Sequence, residues 1–170
     1  MLEHMTCTLC RKRLWAALLA LAALLAWALP AGAAGAASGV TASTPVSVTF
    51  WEEDTENPSA VNDGVDSSRS ATLVRQSNGT YTLQLPIQNV STVVFNGHLS
   101  GLTIGDISYD GQLSGSLEDG TAVLTIKNLP SSVLTGSSVS RSLLVTCSIE
   151  MDVDLLGETT KTARMCVAVL

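Results

Sequence analysis

From Leu143 to Leu155 every second residue is apolar: Leu143, Val145, Cys147, Ile149, Met151, Val153 and Leu155. From Thr146 onward the residues between them are polar: Thr146, Ser148, Glu150, Asp152 and Asp154. A period of two puts one set on one face of an extended strand, whereas a helix would scatter it around the axis. The segment after Gly157 repeats the pattern with Ala163, Met165, Val167 and Val169 on the apolar side. The two segments therefore predict a closing hairpin centred near Leu156-Gly157, wet on one side and buried on the other. In that register Met151 and Met165 are diagonal neighbours on the apolar face. Cys147 and Cys166 come nearly opposite one another, but the alternation points Cys147 inward and Cys166 outward, so a disulfide between them stays open at this stage.

The rest of the distal chain reads the same way. Val46, Val48 and Phe50 alternate with Ser47, Thr49 and Trp51, and Tyr81, Leu83, Leu85 and Ile87 alternate with polar neighbours. Turn dipeptides fall at Asn78-Gly79, Asp110-Gly111 and Asp119-Gly120, where a positive φ is tolerated. No sustained helical stripe follows residue 36. Many short strands separated by glycine-containing turns predict an all-β domain, an antiparallel sandwich or barrel.

The first 36 residues are of another kind. Arg11, Lys12 and Arg13 precede an apolar run from Leu14 to Leu29, followed by Pro30 and small residues around Ala31-Gly32-Ala33 and Ala34-Gly35-Ala36. This is the layout of a secretory signal peptide, the run being a little short for a spanning helix; an uncleaved anchor is the alternative. Residues 37–45, small and polar, form a linker, and the domain runs from 46 to 170. Beyond the leader the 9 basic and 15 acidic residues of the whole chain become 6 and 14. So acidic a domain, with no cluster of Lys or Arg, is not expected to bind nucleic acid or, after leader cleavage, membrane. The expected location is outside the cell, secreted or associated with the wall.

Residues for catalysis are scarce. After the leader there is one histidine, His98, and there is no nucleophile elbow, phosphate-cradling loop or metal-ligand pair of His or Cys. The acidic run Glu52, Glu53, Asp54 and Glu56 lacks the glycine-punctuated spacing of a calcium loop and reads as solvated. An enzyme is not expected. The two methionines of the domain, Met151 and Met165, are soft side chains that suit flat apolar ligands, although core filling also explains them.

Trp51 with its acidic loop, Asn57-Pro58-Ser59-Ala60-Val61-Asn62, Ala71-Thr72-Leu73-Val74, Gly79-Thr80-Tyr81-Thr82-Leu83-Gln84-Leu85 and Phe95-Asn96-Gly97-His98-Leu99 stand in the order and spacing of a NEAT (near iron transporter) domain. The chain resembles that family from Val46 to Leu170. The resemblance implies an immunoglobulin-like antiparallel β-sandwich that holds haem between a short 3₁₀ turn and the last hairpin, on the surface of a Gram-positive bacterium. Ser59 matches the family's propionate-binding serine, and Ala60 stands where a methionine is frequent. Lys161 and Met165 occupy the places of the two tyrosines on the last strand, and no tyrosine follows Tyr109. Tyrosine ligation of iron at that place is thereby excluded. Asn62 and Asp63, in the loop after Ser59, are poor haem ligands.

The implied site comprises Ser59, Ala60, Val61 and Gly64 on one wall and Met151, Val153, Met165 and Val167 on the other, with Met165 the candidate iron ligand. The expected function is haem capture or relay. Its expected partners are haem or another flat apolar ligand, other surface haem-relay proteins and host haemoproteins. The alternative is a protein-interaction or adhesion module on the same fold, without haem.

Overall fold

A computed structural model of the chain describes residues 43–91, 96–152 and 157–170. The leader, most of the linker and Val153 lie outside the described residues. Nine strands are described: β1 Thr44–Trp51, β2 Ala71–Arg75, β3 Tyr81–Pro86, β4 Val90–Ser91, β5 Asn96–Ile104, β6 Ile107–Ser114, β7 Val123–Leu129, β8 Leu143–Met151 and β9 Glu158–Val169. Every helical segment among the described residues is a 3₁₀ turn, at Ala60–Gly64, Ser131–Val133 and Val139–Arg141.

Eight of the strands close on themselves in the order β1, β2, β3, β7, β6, β5, β8, β9 and back to β1, with β4 added on the outer end of β5. All pairings are antiparallel. The domain is thus a closed barrel and not the open immunoglobulin-like sandwich expected from the resemblance. Closure depends on β5, which pairs with β8 over Gly97–Thr103 and with β6 over Gly101–Ile104. Such a strand has backbone close on both sides. A Cβ on Gly97 would lie 2.7 Å from the Glu150 carbonyl oxygen, and one on Gly101 2.8 Å from that of Tyr109. Glycine at both positions lets the neighbours approach, and the register slips between Leu99 and Gly101 where β5 bends.

The inner face carries much of the alternation and adds Leu73, Leu124 and Ile126, while Val169, expected on the buried side, is 46% exposed. Val46, Phe50, Leu73, Leu83, Leu124, Ile126, Val145, Met165 and Val167 are all buried. Asp110-Gly111, read as a turn, lies instead inside β6, where a Gly111 Cβ would meet the Leu124 side chain and the Ser100 carbonyl. The turn between β5 and β6 is at Gly105, which takes the positive φ (+59°).

The closing hairpin has another register than expected. Glu150 pairs with Glu158, Cys147 with Lys161 and Leu143 with Met165. Met151 and Met165 are consequently at opposite ends of the hairpin and not diagonal neighbours. Cys147 and Cys166 are both free and buried, on opposite faces of the barrel wall. Cys147 belongs to the core, whereas Cys166 donates weakly to the Ser138 carbonyl outside it.

Candidate functional site at the barrel mouth

After Trp51 the chain makes an acidic loop and folds back on itself. Trp51 bridges to Pro58, the Glu52 amide donates to the Asn57 carbonyl (2.9 Å), and the Ser59 amide donates to the Phe50 carbonyl (3.0 Å). Ser59 is then extended (φ −78°, ψ 148°) and caps the 3₁₀ turn Ala60–Gly64, its hydroxyl accepting from the Val61 amide at 3.4 Å. A serine oxygen satisfying a free amide at a helix start is the standard use of that residue.

Asn62 fixes the turn in place. Its Oδ1 accepts from the Phe50 amide (2.8 Å), and its Nδ2 donates to the carbonyls of Phe50 (2.7 Å) and Ser59 (2.8 Å). A primary amide bonded to both backbone groups of one residue stands in for a neighbouring strand just where β1 runs out of partners on that side. Asn62, a poor haem ligand, is thus a backbone clamp. Its signal in the sequence is an Asn placed three residues after a capping serine.

The turn rests on the mouth of the barrel. Val61 points into the core, and a Cβ on Gly64 would come within 3.1 Å of Val90 and 3.4 Å of Leu99, so only a bare α-carbon sits there without displacing them. The Gln88 amide donates to the Gly64 carbonyl, and the Gln88 side chain donates to that of Asp63. Leu99 pairs with Ile149 and Gly97 with Met151. The Met151 sulfur lies across Gly97, 3.3 Å from where its Cβ would be. Ala60 is exposed and Val90, Ile149 and Met151 are half-buried, so the mouth presents an apolar rim between the turn and the end of β8.

Of the residues expected to form the site, Gly64 and Met151 come to this rim through β4 and β5. Ser59 is 2% exposed, its hydroxyl accepting the capping bond from Val61. Met165 and Val167 are 0% exposed in the core, Met165 between Phe50 of β1 and Leu143 of β8. Val153 lies outside the described residues. Lys161 binds Glu52 in the acidic loop (Nζ to Oε2, 3.1 Å), and Arg164 donates to the carbonyls of Glu52 (3.0 Å) and Thr55, holding the loop against β9.

His98 faces Glu150 at 3.6 Å, and its Nδ1 is buried without a partner among the described residues. No hydroxyl nucleophile bonds it there; the nearby Ser100 hydroxyl donates to Glu158 (2.9 Å). Burial pushes the Cys147 thiol up to about 12 and raises that of Cys166 as well, so neither is an activated nucleophile. Among the described residues no group of three or more His, Cys, Asp or Glu is arranged to hold a metal ion.

No family model and no curated protein matches the chain. Solved structures similar to it include the NEAT5 domain of IsdX2, a B. anthracis hemophore, in complex with heme, at 10% identity and a TM-score of 0.48 over 74% of this chain and 93% of that one. A point mutant of IsdX2-NEAT5 in complex with heme gives the same identity and TM-score over 74% and 92%. At such identity no residue's role passes from those proteins to this chain.

Proposed function

We propose that this domain is a non-enzymatic binding module of the cell exterior, taking a flat apolar ligand of the haem class at the barrel mouth in haem capture or relay. What supports the reading is the Ser59-capped 3₁₀ turn, pinned by Asn62, whose Gly64 packs on Val90 and Leu99, strand neighbours of the Gly97–Met151 pair. The NEAT-like order of motifs from Trp51 to Leu99 supports it independently.

The residues fit such a ligand by packing. Haem would supply the iron and the flat porphyrin face; the chain supplies Ala60, Gly64, Val90, Ile149 and Met151 as an apolar rest that excludes water. Met165 does not fit as an iron ligand, because its thioether has no exposed atom. Met151 is the methionine within reach of the mouth.

Haem titrated into the purified chain tests this. A Soret band saturating at micromolar protein, weakened by Met151→Ala and retained in Met165→Ala, is the expected result. Absence of any band overturns it. The fully buried Ser59 and Met165 favour the second reading, an interaction module without haem, which that outcome would leave standing.

A further inference from the structure

Closure of the barrel stops short along the start of β9. β9 pairs with β8 over Glu158–Met165 but with β1 only over Arg164–Val169. Between Glu158 and Ala163 it therefore has a neighbour on one side alone among the described residues.

The direction of its backbone groups follows from bonds further along. The Val167 amide and carbonyl bond to Thr135 Oγ1 and the Gly136 amide (both 2.9 Å), away from β1, and the Gly157 carbonyl accepts from Met151 of β8 (3.1 Å). On the other side the Leu170 amide donates to the Pro45 carbonyl of β1 (3.2 Å). Odd-numbered positions thus turn toward the β8 side and even-numbered ones toward β1. Where β1 has ended, Thr160 and Thr162 direct their N–H and C=O groups into open space.

That space is a groove of about 580 Å³, with Thr160, Lys161 and Thr162 on one wall and Glu52, Glu53, Asp54, Thr55 and Asn57 on the other. Arg164 and Lys161 hold the loop wall in place. Three carboxylates face one ammonium, and Lys161 is already matched by Glu52. An unpaired strand edge offers main-chain hydrogen bonds to any extended segment, and flanking charge selects among segments.

We propose that the free edge of β9 between Glu158 and Thr162 is a strand-addition site for an extended segment of a partner protein carrying lysine or arginine at alternate positions. Such a segment pairs with Thr160 and Thr162 and sets its cations against Glu53 and Asp54. A second copy of this chain is the poorer occupant, because edge-to-edge pairing brings two acidic loops together in a molecule of net charge −6. The groove shares no lining residue with the rim at the mouth.

The test uses a capped peptide of about ten residues alternating lysine and valine, titrated into the chain by calorimetry and followed by amide hydrogen exchange. Binding that slows exchange at Thr160 and Thr162 is expected. Replacing the peptide lysines by glutamate, or Glu53 and Asp54 by lysine, should weaken it at least about tenfold, as should raised salt. N-methylation of alternate peptide amides, in the one of the two phases that faces the edge, should abolish it on the unaltered protein, so the result does not depend on a variant folding. The proposal is overturned by no binding at millimolar peptide, by equal binding of both N-methylated phases, by binding without protection of Thr160 and Thr162, or by a dimer of the chain that occupies the same amides.

Discussion

Asn62 holds Phe50 by both of its backbone groups, accepting from the amide and donating to the carbonyl. The bond pair ties the 3₁₀ turn to β1 and sets the height of the turn over the barrel mouth. Asn62→Ala leaves the Phe50 amide and two carbonyls without these partners in a partly buried place, which should cost about 1–3 kcal/mol. Asn62→Asp keeps an acceptor for the amide but loses both donations. Urea unfolding of the two variants should rank wild type above both; an unchanged midpoint in Asn62→Ala would refute the role given to this side chain.

The two methionines should separate cleanly. Met165 is enclosed by the core, and its truncation to alanine should cost about 2–5 kcal/mol of stability. Met151→Ala, at the half-buried rim, should lower the melting temperature far less while weakening any apolar ligand at the mouth. Thermal melts of the two variants side by side check the contrast.

Thiol chemistry reports the register of β8 and β9. Cys147 opposes Lys161 and not Cys166, and burial holds its thiol up to about 12. At neutral pH the native protein should leave Cys147 unmodified by an alkylating reagent, and denaturant should expose both Cys147 and Cys166. Peptide mapping without reduction would show a linked Cys147–Cys166 pair if this register were wrong.

Asp66 couples stability to acid. It accepts from the Ser68 hydroxyl (2.6 Å), the Arg69 Nε (2.6 Å) and the Ser68 amide (3.1 Å), and these bonds hold its carboxyl below the ordinary 3.8. A carboxylate depressed in the folded state contributes stability above its unfolded value and loses it as pH falls through the folded one. The gap in stability between wild type and Asp66→Asn should therefore be constant near neutrality and shrink once pH drops below 3.8. Arg69 also donates to the Ala122 carbonyl, so the variant loosens the contact of this segment with the approach to β7.

Much of the fold is legible from alternation alone. The inward positions of β1, β3 and β8, and the placing of Cys147 inward and Cys166 outward, follow from period-two patterning, which is a local property. Turns at Asn78-Gly79 and Asp119-Gly120 are legible for the same reason, with Gly79 and Gly120 at φ +85° and +65°. Asp110-Gly111 misleads because glycine serves two purposes, and at Gly111 it makes room for Leu124.

Sandwich and barrel share the same in-and-out alternation. What decides between them is the double pairing of β5, a long-range matter written only as glycines at 97 and 101. The hairpin register is likewise hidden, since the apolar parity is kept by any even shift along β9. At the site, residue types point to the serine and to both methionines, but do not say that Met165 is enclosed beside Phe50 while Met151 is half-buried beside Gly97. That distinction arises from the register.

The first strand of the barrel is held on one side by the last. Until β9 arrives, β1 has as strand partner only β2, along Thr44–Val46, besides the turn that Asn62 ties to Phe50, and β8 lacks one of its two neighbours. The ring shuts only when the 12 residues of β9 dock between β8 and β1, a pairing of the two ends of the domain's sequence. Deleting β9 should accordingly leave a sticky, half-built sheet rather than a smaller stable one.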